Sequence, residues 1–327
     1  MIDFFRNGSA LFFYLRKTAG FFVTIFAVSV VTFAAFQVLP GDPALVILGV
    51  DSDAAQLENL RASMNLEQNA VSRYFLWIAG VIRGDLGQSF RYQRGVNELI
   101  FTAFAVTLQL SILVLLITAG FGIPIGLWLA RYDKNKKSFP VNLIAQLGIS
   151  IPVFCTALFF IIIFSVRLKL FPSMGYVHFF QNPAQCLRSL FLPAVSLSFG
   201  TTAILSRYMR SSVLTQLKQD YVRTARSKGM KESLIYKNHI VRNSLIPVIT
   251  VLGMLTAEIL GGSIIVENVF SLPGIGKMLS NSISSRDFPL IQGLVLYLSV
   301  IVVCCNFLVD ILYSIIDPRI RLRGAAA

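Results

Sequence analysis

Six stretches of this chain are long, apolar and nearly free of charge: Thr18–Val38, Leu99–Ala130, Pro140–Val166, Ser189–Ser206, Ser244–Val266 and Phe288–Val309. A helix that crosses the hydrocarbon core of a bilayer needs about 20 mostly apolar residues. Each run meets that length to within a turn, and Leu99–Ala130 exceeds one crossing without reaching two. Composition agrees. Only 14% of the 327 residues are charged, against about 25% in an ordinary soluble domain, and mean hydropathy is +0.70. A soluble, disordered or collagen-like chain is excluded. So is a disulfide-stapled one, since Cys155, Cys304 and Cys305 fall inside spans and leave Cys186 alone outside. The reading is an all-α membrane protein with six transmembrane helices.

The net charge of +13 would suggest nucleic acid as the partner of a soluble protein. In a membrane protein the placement of Lys and Arg reports topology instead, and no nucleic-acid partner is expected. Nineteen of the 29 basic residues lie before Thr18, between Arg131 and Ser138, between Arg207 and Asn243, and after Val309. Basic loops stay in the cytoplasm, so both termini are read as cytoplasmic. The segment 1–17 is then a cytoplasmic lead-in and 18–38 the first span. Residues 39–98 form an external cap, 99–317 carry the remaining spans, and 318–327 are a cytoplasmic tail. The first span is read as an uncleaved anchor, because its apolar run exceeds a signal-peptide core and no small-residue cleavage pattern follows.

Two loops carry patterns of their own. In the external one, Leu57, Leu60, Met64 and Leu66, then Val71, Phe75, Ile78 and Val81, recur with helical period. They predict two amphipathic helices, before a turn at Gly84-Asp85-Leu86-Gly87-Gln88-Ser89. In the internal loop 207–243, Tyr221, Thr224, Ala225 and Lys228 share one face of a short helix that Gly229 ends. A second helical pattern follows from about Lys231 into the fifth span, with Pro247 as a kink. Periodicity alone fits either a helix lodged in a groove of a partner protein or a basic helix lying on anionic membrane lipid.

Further landmarks narrow the choice. Asp220-Tyr221-Val222-Arg223-Thr224-Ala225-Arg226-Ser227-Lys228-Gly229, with His239-Ile240-Val241-Arg242-Asn243-Ser244-Leu245-Ile246-Pro247 after it, resembles the cytoplasmic EAA loop of bacterial ABC importer permeases. Leu39-Pro40-Gly41-Asp42-Pro43, the Gly84–Ser89 turn, Glu267-Asn268-Val269-Phe270-Ser271-Leu272-Pro273-Gly274-Ile275-Gly276, Arg286-Asp287-Phe288-Pro289 and Asp317-Pro318-Arg319-Ile320-Arg321 resemble the dipeptide/oligopeptide branch of that family. Together they run through nearly the whole chain in the family's order. Arg223 stands where many loops outside this branch have Glu, Lys231 replaces a residue often able to cap the second helix, and Asn65 and Asn69 replace Gly and Pro.

The resemblance implies the type I importer permease architecture in the bacterial inner membrane. It implies pairing with a second, homologous permease subunit, two cytoplasmic ATPase subunits and an external solute-binding protein. Peptides are the implied substrate, with nickel or metal chelates or another small solute as the alternative within the family. Tyr221, Thr224, Ala225, Lys228 and Gly229 would contact the ATPase. ATP and Mg would be held by that partner. The chain itself has no G-x-x-x-x-G-K-[ST] phosphate cradle, so no cofactor and no enzymatic activity are assigned to it. A self-sufficient secondary transporter would show inverted repeats or several midplane charges, for which Glu258 alone is thin support. Glu258 either lines the translocation path, where it would meet a peptide's amino terminus, or pairs with a polar group across a helix interface, or sits near enough to the outer surface to be hydrated. Gly261 and Gly262 beside it, with Gly253, allow close helix approach, with path lining as their second reading. Pro124 and Pro152 predict helix kinks.

Overall fold

The computed structural model describes residues 2–38, 53–55, 58, 61, 68–133 and 135–316. Helices dominate them: α1 (Ile2–Val38), α2 (Ala70–Ile82), α3 (Val96–Arg131), α4 (Ser138–Ser150), α5 (Val153–Phe160), α6 (Pro183–Gln216), α7 (Asp220–Ser227), α8 (Glu232–Ile235), α9 (Arg242–Val269), α10 (Ile275–Ser284) and α11 (Phe288–Ile316). Among the described residues β-structure is confined to an isolated bridge between Gln88 and Gly95. The apolar runs all fall on helices. Five helices are long and apolar enough to cross a membrane unbroken, and a bent pair supplies a sixth crossing if it is counted as one span.

That bent pair revises the third run. The sequence predicts one kinked helix from Pro140 to Val166; the structure breaks it into α4 and α5, set 111° apart. The cause is local. Pro152 has no N–H to continue the helical ladder, and its ring pushes the preceding residue out of the α region. Ile151 accordingly sits at ψ 126° and Pro152 at ψ 141°. From Ile161 to Arg167 the backbone winds on as a π-helix.

The helices fall into two compact units. One comprises Tyr14–Val106 with Pro273–Cys304, and the other is built on Thr107–Leu272 together with Met1–Phe13 and Cys305–Ala327. In the first, the inner face of α3 (Val96, Leu99, Ile100, Ala103) packs with Ile275 of α10 and Leu290 and Leu294 of α11. Two of the sequence landmarks meet there. The buried Asp287 carboxylate accepts from the Ser89 hydroxyl at 2.5 Å and from the Phe90 and Arg91 N–H groups at 3.2 Å. It thereby ties the Gly84–Ser89 turn, which Gly84 and Gly87 enter with φ of 83° and 87°, to the start of α11. Helix α2 realises the second amphipathic pattern and is capped by Asn69, whose side-chain oxygen accepts from the Val71 N–H at 2.8 Å. Its packed face is rotated from the expected one. Tyr74 and Trp77 stack against Phe33 of α1 while Val71 and Phe75 stay exposed. The first amphipathic pattern, Leu57 to Leu66, lies outside the described residues.

In the second unit, small residues set the spacing of α3, α4 and α6. A Cβ added at Gly126 would lie 2.5 Å from Cβ of Met209 and 2.6 Å from the Ser206 carbonyl oxygen. One added at Gly148 would lie 3.1 Å from the Phe199 carbonyl. The Thr118 and Thr201 hydroxyls share a buried hydrogen bond of 2.7 Å across the same packing. A guanidinium closes one end. Arg210 donates to Asp133 at 3.0 and 2.5 Å and to Asn142 at 3.2 Å, fastening the α3–α4 connection to α6.

Gly126→Ala is therefore expected to force α3 and α6 apart at a cost of about 1–3 kcal/mol. Gly120→Ala on the same helix, with nothing within 4 Å of its added Cβ, is expected to be neutral or slightly stabilising. Thermal unfolding of the two purified variants in one detergent checks the contrast.

Candidate coupling loop and membrane pocket

The internal loop is a short helix pinned from below. Asp220 opens α7. Val222 is fully buried and Ala225 nearly so, while Thr224, Lys228 and Gly229 are exposed and Tyr221 is half-buried. The four residues predicted to share an outward face thus divide. Ala225 turns into the chain with Val222, and Tyr221 donates its phenol O–H to Gln216 at 2.6 Å. Only Thr224 and Lys228 look outward, with Gly229 at the tip. Gly229 has φ +73°, a left-handed conformation that a side chain would strain. It lets the Met230 N–H turn back to the Ala225 carbonyl at 3.3 Å.

Behind this knuckle the chain is firmly seated. Arg226 donates from Nε to Glu232 at 2.7 Å, bridging α7 and α8, and that carboxylate holds the Arg226 guanidinium above its ordinary pKa. Helix α8 is uncapped by any side chain at Lys231 and runs only to Ile235 before a π-helix, Tyr236–Val241. Ile235 and Ile240 are fully buried pegs, and the Tyr236 hydroxyl reaches the Leu127 carbonyl of α3 at 3.3 Å. The Ser212 hydroxyl joins α6 to the Ser244 carbonyl of α9 at 3.0 Å.

The residues of the predicted path all lie on α9. Glu258 is exposed and lines a pocket of about 290 Å³ with Gly148, Ile151, Thr156, Ser196 and Thr201. Gly261 has open space where a Cβ would be, whereas a Cβ at Gly253 would sit 2.3 Å from Val309. Close packing is therefore the role of Gly253 and not of Gly261; Gly262 follows Gly261 within the helix. The carboxylate that is fully buried is a different one. Glu267 accepts from the Thr107 hydroxyl at 2.7 Å and the Ser263 hydroxyl at 3.0 Å. In the sequence Glu267 stands just past the apolar run and figures only in a landmark. The Ser263–Glu267 spacing of four, one helical turn, was the signal that α9 continues and turns this residue inward.

With this geometry in view, the chain's relatives can be placed. Residues 122–322 match the family of binding-protein-dependent transport system inner membrane components. Residues 10–111 match the N-terminal region of such membrane components. The chain belongs to this family of inner-membrane permease components, which form the membrane path of importers and are not themselves the catalytic part. Among its curated relatives is a protein of Brucella abortus (strain 2308), provisionally named a peptide transport system permease protein. It is 39% identical over 307 residues, covering 94% of this chain and 98% of the relative. Another is the glutathione transport system permease protein GsiC of Shigella flexneri serotype 5b (strain 8401), 35% identical over 309 residues, with 94% of this chain and 98% of GsiC covered. Among solved structures, the inward-facing MetNI methionine ABC transporter aligns with a TM-score of 0.54 at 16% identity. The alignment covers 67% of this chain and 96% of that one. At that identity it shows the shared fold.

Glu267→Ala removes the buried carboxylate that the Thr107 and Ser263 hydroxyls share, a loss of about 1–3 kcal/mol. Its unfolding temperature is expected to fall clearly below that of Glu258→Ala, which removes an exposed group and is expected to unfold with the parent chain.

Proposed function

We propose that this chain forms one half of a peptide-conducting pathway and moves under the force of ATP hydrolysed on separate subunits. A second, homologous permease subunit completes the pathway. Two ATPase subunits, which hold ATP and Mg, dock on its cytoplasmic face, and an external solute-binding protein delivers the peptide. The basic loops and both termini then face the cytoplasm, in keeping with the distribution of Lys and Arg. Peptides are the substrate class that the two relatives' names support, glutathione being itself a tripeptide.

The shape of the Tyr221–Gly229 knuckle carries this reading. A helix that projects Thr224, Lys228 and a glycine tip, while Val222 and Ala225 root it in the chain, is a rigid peg. A peg of that kind suits a cleft on a moving partner. Tyr221 and Ala225 keep the peg in register instead of meeting the ATPase with their side chains. Glu258, Gly261 and Gly262 line the path on α9.

Two measurements test the proposal. The purified chain alone is expected to hydrolyse no ATP, with hydrolysis appearing once the ATPase subunits are added; hydrolysis by the chain alone would overturn it. In the complete transporter, Lys228→Glu is expected to lower peptide import at least about tenfold, as loss of ~1.4 kcal/mol at the contact would, with the unfolding temperature unchanged. Full import by that variant would remove the peg from the mechanism.

A further inference from the structure

A carboxylate in a span has to face something other than lipid. At the bilayer centre, exposure to hydrocarbon costs about 2.5–3.5 kcal/mol on insertion scales, and Glu258 is exposed on its own chain. The pocket it lines is polar in one sense only. Helix α4 ends there, and Gly148 and Ile151 form part of the wall. The Ile151 N–H closes the last turn onto the Leu147 carbonyl at 2.9 Å, and Pro152 offers no N–H to the carbonyl that follows. The wall receives the C-terminal end of α4 beside the N-terminal turn of α5 at Val153 and Thr156. The two helix ends carry opposite partial charges, so the net charge of the wall is that of Glu258. Thr156, Ser196 and Thr201 add hydroxyl groups, and no Lys, Arg or His among the described residues lines the space.

A carboxylate ringed by hydroxyl oxygens, with no Lys, Arg or His beside it among the described residues, makes a cation site. We infer that this pocket receives the protonated α-amino group of the transported peptide. An ammonium group has three N–H donors, matching a carboxylate with carbonyl and hydroxyl oxygens around it. At about 290 Å³ the pocket lies near the lower end of ligand cavities, about 300–1,000 Å³. It therefore holds the leading residue of a peptide and not the whole of a long one. Glu258 and the broken span together hold one end of the solute and leave the rest of its sequence unread. The choice of peptide as the source of the ammonium group rests on the function proposed above; the cation site does not.

The test has two arms, so that the two ideas fail separately. In the first, the chain is reconstituted with Cys155, Cys186, Cys304 and Cys305 replaced by serine or alanine and with Ile151→Cys as the reporter. It is treated with methanethiosulfonates carrying either an ammonium or a sulfonate group. The ammonium-to-sulfonate rate ratio is expected to be about tenfold above that of a free thiol in solution, the factor that ~1.4 kcal/mol of attraction gives, and Glu258→Gln is expected to return it to the free-thiol ratio. A ratio that Glu258→Gln does not change overturns the cation site. In the second, with native cysteines and the complete transporter, import of a dipeptide is expected to fall about tenfold in Glu258→Gln and to be largely kept in Glu258→Asp, which retains the charge. Equal import by all three forms, or equal loss in both variants, overturns a role in binding the solute. If the parent transporter imports no peptide while the reagent ratio still depends on Glu258, the cation site stands and the peptide assignment falls.

Discussion

Hydrocarbon offers no partner to a polar group, so every one that this chain carries into its spans has to be met from within the protein. The structure does so for many of them, while Ser165 Oγ and Gln292 Nε2 are buried without a partner among the described residues. Ser111, Ser196 and Ser206 turn their hydroxyls back onto carbonyls of their own helices, Thr118 and Thr201 satisfy each other, and Thr107 and Ser263 meet the Glu267 carboxylate. Helices whose polar groups are settled in this way gain nothing from water-driven association and must attract one another by close contact. That is why backbone approaches at Gly126, Gly148 and Gly253, where even a methyl group meets a neighbour, matter more to this fold than the size of its apolar side chains.

Against that background the exceptions stand out. The α4–α5 break leaves a helix end within a run long enough to cross the bilayer, and Glu258 leaves a charge facing a cavity. Irregular backbone at membrane depth is tolerated where it lines a cavity or lies inside protein, and both features line the same pocket. The packing of α4 on α6 runs through Gly148, Gly200 and Ala203, beside the break. What the break does is bring the end of α4 and the start of α5 into the wall beside Glu258.

Much of this was legible in the sequence, for a physical reason. Span length is set by the bilayer, so uncharged runs such as Thr18–Val38 and Phe288–Val309 fall on helices α1 and α11, and Pro152 marks the place where the third run breaks. Rotation was not legible. An apolar helix is apolar on every side, so its pattern does not tell which face meets protein. Glu258, deep in its run, emerges exposed, while Glu267, just beyond it, is buried because α9 continues to Val269. The same limit applies to α7 at smaller scale: spacing groups Tyr221, Thr224, Ala225 and Lys228, but only contact with the rest of the unit turns Ala225 inward. The bend of 111° is likewise a tertiary outcome, since Pro152 dictates an interruption and not its angle.

The loop and the pocket belong to the same unit, and two helices run from one to the other. Helix α6 carries Ser196 and Thr201 on the pocket wall and ends at Gln216, whose side chain accepts the Tyr221 phenol. Helix α9 carries Glu258 and is entered directly from the π-helical segment whose Ile240 is a buried peg. Near the loop the two are fastened by the Ser212–Ser244 hydrogen bond. A force applied at Lys228 reaches α9 through the exposed turn 229–231 and the buried Ile235 and Ile240, and α6 through the turn 217–219. A further interruption lies in the pocket wall, where Ile151 and Pro152 break the α4–α5 ladder. A peg that shifts α6 and α9 together would change the distance from Glu258 to the end of α4, and with it the strength of any hold on a positive charge between them. Coulomb attraction falls with distance and with the entry of water, so the same movement that opens such a pocket also weakens its grip.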